Sequence, residues 1–466
     1  MTDAIVVGSG PNGLAAAVVL AAGGLSVTVL EAASTIGGGT RSSELTVPGV
    51  LHDHCSAVHP MGVASPLFQS LGLEEHGLEW LWPAVDLAHP LDGGGAGVMV
   101  RDLDATATGL GADGAVWKRL FGPLARGFDA LNDDLLRPVA HVPKHPLLLA
   151  AFGTRALLSA QLLTRRFDTD EARALFAGAA AHALRPLSSP GSAAIGLALL
   201  AAGHHVGWPV ARGGSRAITD ALAAKLRALG GTIETDVRVT SLPDANVVML
   251  DLAPGAAAAI CGDRMPARVA RAYRKYRHGP GAFKVDLAVE GGVPWTNEQC
   301  RQAGTVHVGG SLEDLAVSAR EVHAGRMPER PFVLLAQQYL ADPSRSAGDV
   351  HPVWAYAHVP AGYTGDATGA LLDQIERFAP GFRDRIVGTA VRSPAGFEDY
   401  NANYVGGDIV TGANDLRQIA MRPRIARDPY STGIPGVFLC SAATPPGAGV
   451  HGMCGKNAAE SALRHL

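Results

Sequence analysis

Only five cysteines occur in 466 residues; they are odd in number and widely scattered (Cys55, Cys261, Cys300, Cys440, Cys454), and none forms a CxxC pair. Neither a disulfide framework nor a zinc ribbon is suggested, and a reducing, cytoplasmic setting is the expectation. Charge is scarce as well: charged residues are 18% of the chain, against about 25% in average proteins. Lys plus Arg (39) falls below Asp plus Glu (43), for a net charge of −4. Such a chain has no overall basic field with which to hold nucleic acid, so no nucleic-acid partner is expected. Long apolar runs are missing too. The two longest, Leu147 to Leu163 and Ala193 to Gly203, are broken by Arg155 or stop short of the ~20 residues that a bilayer-spanning helix needs. Peripheral contact with a membrane surface stays open. The opening MTDAIVVGSG has no basic stretch ahead of its apolar residues and reads as a first strand, not a signal peptide.

What the chain has in excess is glycine. Its 57 glycines are about 12% of the residues, against about 7% in average proteins, and they follow no collagen-like period. Tight turns and close approach of backbone to a ligand are the physical uses of such an excess. Hydrophobic residues make up 47%, enough for a large core, and the length corresponds to about three domains of ordinary size.

The first thirty residues form a βαβ unit: the strand AIVVG, the turn GSGPNG, an apolar helix from Leu14 to Ala22, and the strand SVTVL ending at Glu31. Gly8, Gly10 and Gly13 sit in the GxGxxG spacing, where they serve a tight turn, approach to a pyrophosphate and helix packing respectively. Pro11 and Asn12 lie between them at the helix start, where free N–H groups favour anions. Glu31 follows Gly13 by 31 − 13 = 18 positions, close to the ~20 at which an acid bonds a ribose hydroxyl. The carboxylate would repel a ribose phosphate. A second glycine cluster, with Gly38 and Gly39 followed by Arg41, adds backbone amides and a permanent cation. This favours FAD over NAD. A third glycine-rich element closes the chain, with Ser441, Gly447, Gly449, Val450, Gly452 and Met453 leading into a final helix whose start suits the negative charge of a reduced flavin.

The segments VVGSGPNGLAAA, IGGGTRS with HDHCSAVHP, GHHVGWPVARGGSRAI, FKVDLAVEGGVPW, GTVHVGG and ATPPGAGVHGMCGKNAA together resemble the phytoene desaturase-related FAD-dependent oxidoreductases. Within that family the likeness is to the pyridine nucleotide-disulfide oxidoreductase domain-containing protein 2 type, over nearly the whole chain. The resemblance implies an α/β fold of the amine oxidase or phytoene desaturase type, with a Rossmann-like FAD-binding domain (1–65, 205–260 and 415–466) interrupted by a mixed α+β substrate domain (66–204 and 261–414) that includes a helical region. It implies non-covalent FAD held by the glycines above, Glu31, Arg41 and Val237, and hydride exchange with an apolar substrate, isoprenoid or polyene in type. An amine or alcohol oxidase, a redox-silent isomerase and a prenyl-protein binding module of the GDP-dissociation-inhibitor kind are the alternatives. Where relatives often carry an acid after the last strand, this chain has Ser441 and Ala442.

By the same resemblance Lys284 lies near the flavin as a base or water-orienting group; the competing reading is a solvated lysine on an edge strand. His451 faces the ring from the C-terminal turn or is satisfied by nearby carbonyls. Tyr400, Asn401 and Tyr404 are candidates for the substrate region. The cluster His52, His54, Cys55 and His59 has no second ligand pair with zinc spacing, so it reads as pocket lining and no metal is expected. Nothing in the sequence points to an oligomeric state.

Overall fold

The computed structural model describes residues 3–466. Two sheets organise them. The first has five strands, β1 (Ala4–Val7), β2 (Val27–Leu30), β5 (Thr232–Glu234), β6 (Val247–Leu250) and β12 (Val437–Leu439), in the order β12-β6-β1-β2-β5 with every pairing parallel. The second has seven strands, β3 (Val85–Pro90), β4 (Ala96–Met99), β7 (Gly281–Glu290), β8 (Ala303–Val308), β9 (Val333–Ala336), β10 (Val350–Val359) and β11 (Ile386–Arg392), in the order β11-β7-β10-β9-β8-β3-β4. Its pairings are antiparallel except β3 with β8.

A parallel sheet needs helices on both faces, and the sequence supplies them. Helix α1 (Pro11–Ala22) is apolar on nearly every side because it is sandwiched between β1 and the C-terminal helix α8 (Met453–Leu463); Leu14 to Val18 are fully buried. The packing is backbone to backbone: a Cβ on Gly455 would lie 1.9 Å from the carbonyl oxygen of Asn12. Helix α5 (Arg216–Ala228) covers the same face through Ile218, Leu222 and Leu226. The opposite face carries Val7, Val248 and Leu250 beneath Val269 and Tyr273 of α6 (Ala267–Arg274).

The seven-stranded sheet follows the same logic with period 2. Val285, Leu287, Val306, Val353 and Ala355 face one apolar core, while Trp354, Tyr356 and Leu334 face a second, built from α2 (Pro146–Ala156), α3 (Asp170–Ala181) and α4 (Ala193–Val206). The stretch 66–204 reads as helical from its Ala and Leu content, yet it also contributes β3 and β4 to this sheet. Six residues of VDLAHP are all buried, so the alternation that marks a half-exposed strand is missing there. One more short helix, α7 (Leu416–Met421), lies at the surface.

Candidate cofactor and active site

The carboxyl ends of β1, β2 and β6 open onto a cleft of about 860 Å³, at the point where the chain passes to opposite sides of β1. Open α/β sheets bind ligands at such a switch point. Gly8, Gly10, Pro11, Asn12, Glu31, Gly38, Gly39, Arg41, Val237 and Ser441 all line it, so residues scattered over more than 400 positions converge on one space. Gly8 has φ +102°, a conformation that requires glycine; Gly10 has an ordinary φ of −66° and is bare for another reason, since a Cβ there would meet Asp251 Oδ2 at 2.8 Å. Gly13 does not line the cleft. It lies against Gly8, whose carbonyl oxygen a Cβ would approach to 2.1 Å.

Glu31 is fixed from three sides. Its Oε2 accepts the Ser9 amide at 2.9 Å, its Oε1 accepts the Ala33 amide at 2.9 Å, and Arg41 Nη2 lies 3.3 Å from Oε1. Arg41 also donates to the Thr35 carbonyl at 2.8 Å and lies 5.4 Å from the centre of the Tyr400 ring. The Val237 amide is spent on the Glu31 carbonyl at 2.8 Å.

Asp251, at the end of β6, is a site residue that the sequence reading missed; only its place after a buried strand could have drawn attention to it. Its Oδ2 accepts the Gly13 amide at 3.0 Å, and Asn403 Nδ2 donates to its carbonyl at 3.0 Å. Burial pushes the Asp251 carboxyl up to about 7; the Gly13 amide opposes this and the nearby Glu31 charge adds to it. The cleft therefore holds Glu31, oriented by its hydrogen bonds, and beside it the Asp251 carboxyl raised to about 7.

Tyr400, Asn401 and Tyr404 close the cleft from above. Tyr400 donates to the Gly38 carbonyl and its ring stacks on His54 at 5.2 Å, while the Tyr404 hydroxyl fills the space that a Cβ on Gly39 would need. Behind them lies Lys284. β7 is flanked by β10 and β11, so the lysine is not on an edge; it is 1% exposed, which removes the solvated reading. Its ammonium pairs with Asp286 and lies 5.7 Å from the Trp354 ring centre, and burial lowers its pKa against the pull of Asp286.

The histidines near position 55 disperse. His52 Nε2 meets Thr46 Oγ1 at 2.8 Å and its Nδ1 lies 3.5 Å from Asp286; His54 Nε2 meets Ser43 Oγ at 2.7 Å; His59 Nε2 meets Ser215 Oγ at 2.8 Å. Among the described residues no group of three or more His, Cys, Asp or Glu side chains is arranged to hold a metal ion. Gly447, Gly449, Val450, Gly452 and Met453 stand outside the cleft lining, in a turn that packs on the segment 60–68: Ser65 Oγ donates to the His451 carbonyl at 2.6 Å, and a Cβ on Gly452 would strike Phe68. His451 is buried, and its Nδ1 accepts the Met453 amide at 3.1 Å, so the ring caps α8. Burial pushes it down to about 4. The structure thus gives His451 a place in holding this turn, and the carbonyl-satisfied alternative fits it better than a ring-facing base.

Facing the helices, the seven-stranded sheet carries buried neutral polar groups beside the Lys284–Asp286 pair. His89 Nδ1, His307 Nδ1, His358 Nε2, Thr305 Oγ1 and Trp354 Nε1 are buried without hydrogen-bond partners. Burial pushes His89 down to about 4 and His358 to about 3, so these rings are neutral at physiological pH.

Comparison with known proteins agrees with this architecture. Residues 6–71 match the NAD(P)-binding Rossmann-like domain family. The chain is 25% identical to the pyridine nucleotide-disulfide oxidoreductase domain-containing protein 2 of Rattus norvegicus, with 100% of this chain and 94% of the relative aligned, and the Mus musculus protein gives the same figures. Among solved structures, an oxidoreductase from Methanosarcina mazei superposes with a TM-score of 0.63 at 16% identity over 99% of both chains. Putrescine oxidase bound to putrescine gives 0.62 at 18% identity, covering 99% of this chain and 98% of that one. Cyclohexylamine oxidase from Brevibacterium oxydans gives 0.57 at 16% identity over 99% of both. The fold is that of the flavin amine oxidase type, as the sequence motifs imply, and the full-length likeness is to the protein type they resemble.

Proposed function

We propose that this chain is an FAD-dependent oxidoreductase that exchanges a hydride with a largely apolar, uncharged substrate of isoprenoid or polyene type. One observation carries the cofactor half of this reading: two glycine elements, Glu31, Arg41, Val237 and Ser441 converge on one cleft at the switch point of a parallel sheet. The residues present fit the group. The start of α1 has no side-chain cap, Gly10 leaves the backbone bare, Asn12 Oδ1 is buried without a partner, and Glu31 is already oriented for a ribose.

FAD, when bound, supplies the two-electron chemistry. The protein's own groups bind, orient and exclude water. Tyr400 and Tyr404 cover the cleft, and the buried Lys284–Asp286 pair provides a fixed dipole and a proton-holding ammonium behind them. The substrate half rests on the buried neutral histidine and tryptophan groups, whose hydrogen-bonding atoms are unspent, beside a Lys284–Asp286 pair whose two charges compensate each other. A small charged amine set against such groups would cost several kcal/mol unless paired. Anaerobic bleaching of the yellow protein by lipophilic polyenes or alcohols, with little response to simple primary amines, is the expected result. A colourless protein that FAD does not reconstitute defeats the cofactor reading, and fast reduction by a small amine with no response to lipophilic compounds defeats the substrate reading.

Two variants probe the site. Asp251 is neutral below about pH 7 and charged above it, and a second carboxylate works against a pyrophosphate. FAD affinity should therefore fall by roughly fivefold or more between pH 6 and pH 8, the effect of about 1 kcal/mol of charge repulsion. Asp251→Asn keeps an acceptor for the Gly13 amide and should flatten that profile in a titration of apoprotein with FAD. An unchanged slope would remove Asp251 from the account. Lys284→Met should retain the flavin but slow its anaerobic reduction or its reoxidation by about tenfold or more, within the range of a lost acid–base group. Wild-type rates in both half-reactions would make the lysine structural only.

A further inference from the structure

The net charge of −4 hides a local concentration of the opposite sign. Between α6 and the segment 417–431 runs a groove of about 1070 Å³ lined by Arg268, Lys275, Arg277, Arg417, Arg424 and Arg427. Asp428 is the only acid in its wall, and it is engaged by the Tyr430 amide and Ser461 Oγ. Arg277 pairs with Asp415. Arg268, Lys275, Arg417 and Arg427 are exposed, and among the described residues they have no ion pair or side-chain hydrogen bond. Arg424 Nε is buried without a partner. Four cations held together by the fold repel one another, and among the described residues no carboxylate pairs with them.

The same side of the molecule carries exposed apolar residues. Ile425 is 75% exposed and lines the groove with Met421, while Leu416 stands at the start of α7. Leu416 lies directly over Gly191, whose amide donates to the carbonyls of Leu157 and Leu158 at 3.0 and 3.1 Å. Leu157 ends α2, and ahead of it Leu147 is 87% and Val142 90% exposed. Arg185 ties the two segments together by donating to the Asn414 carbonyl at 3.1 Å. Exposed apolar residues at Leu157, Leu416, Met421 and Ile425 thus border the basic groove. Scattered exposed apolar residues need no explanation, but several of them gathered at the edge of a groove of unpaired cations do.

We infer that this face docks on an anionic bilayer, with the groove cations against lipid phosphates and the apolar residues at its edge entering the headgroup boundary. A soluble polyanion would use the cations and leave the apolar residues in water; a neutral apolar partner would leave the cations unpaired. Only a surface with both characters satisfies both. Among the described residues no helix is long and apolar enough to cross a membrane, so the contact is peripheral. The inference is independent of the chemistry proposed for the cleft.

Co-sedimentation of the full chain with vesicles tests it. Binding to phosphatidylcholine vesicles containing about one-third phosphatidylserine should exceed binding to phosphatidylcholine alone by about tenfold or more, and should weaken with salt. The charge reversal Arg268→Glu, Arg417→Glu, Arg427→Glu should abolish the difference, and the uncharged change Ile425→Ser should reduce vesicle binding while leaving heparin binding unchanged. All four positions are exposed, and circular dichroism checks that the variants fold. Equal binding to both vesicle types, retention on heparin with none on vesicles, or anionic-vesicle binding untouched by the charge reversal would each overturn the inference.

Discussion

Gly10→Val is expected to give a folded protein that purifies without flavin, whereas Gly13→Ala, a smaller change, is expected to damage the fold as well. The difference lies in what each new Cβ meets. At Gly13 the obstacle is the carbonyl oxygen of Gly8 at 2.1 Å and its carbon at 3.1 Å, both backbone atoms of the turn that joins β1 to α1. They have no rotamer to escape into, so α1 must lift from the sheet and from α8. Overpacking of that kind costs typically about 1–3 kcal/mol and more where backbone must move. At Gly10 φ is −66° and ψ 172°, which any residue adopts, and the nearest atom is the side-chain oxygen of Asp251 at 2.8 Å. Asp251 can yield at the loss of its hydrogen bond to the Gly13 amide, but the added side chain then stands where the dinucleotide's pyrophosphate must approach the helix start. Flavin-to-protein absorbance ratios and melting temperatures separate the two effects. A Gly10→Val protein holding one flavin per chain would show that this turn serves packing alone.

That contrast also marks what a sequence can and cannot convey. The βαβ unit, its glycine turn and Glu31 were legible because they follow one another within 31 residues and each has a spacing rule. Arg41 was legible from the glycine cluster before it and Val237 from resemblance, and both reach the cleft. Asp251 was not legible, since a lone acid after a buried strand looks like any strand end; its importance comes from lying 238 positions from the amide it accepts. β3 was hidden for a related reason: flanked on both sides within its sheet and covered on both faces, it has no alternation to detect. For His451 the sequence left two readings open, and the bond from the Met453 amide to its Nδ1 shows the ring holding the turn ahead of α8. Net charge misled, because a sum over 466 residues cannot report the clustering of six cations in one groove.

The largest effect on stability should come from a residue no motif marks. Arg345 is fully buried, with Nη1 2.6 Å from Asp53, Nε 3.1 Å from Asp342 and Nη2 donating to the Ala211 carbonyl at 2.7 Å. Asp53 ends the short strand Leu51–Asp53 and also accepts the Ser215 amide, while Asp342 accepts the Gly213 amide, so one guanidinium ties the start of α5 to two loops. Arg345→Met removes the cation and leaves two buried carboxylates, a change that costs about 3–5 kcal/mol. The pH dependence identifies the cause. Burial works to raise the Asp53 pKa, but Arg345 together with the Ser42 and Ser215 hydrogen bonds holds it below its ordinary value of 3.8. In the wild type that stabilisation is present above the unfolded-state pKa and is lost as pH falls through the lower folded one. In the variant burial acts without the cation, so the folded carboxyls protonate at higher pH and the penalty shrinks on acidification. Denaturant unfolding should accordingly show a large deficit for Arg345→Met at pH 7 and a clearly smaller one near pH 4. Arg345→Met/Asp53→Asn should recover part of the loss at pH 7, because it removes one uncompensated charge while keeping its hydrogen-bond acceptor. A deficit of the same size at both pH values would assign the effect to lost packing volume instead of to buried charge.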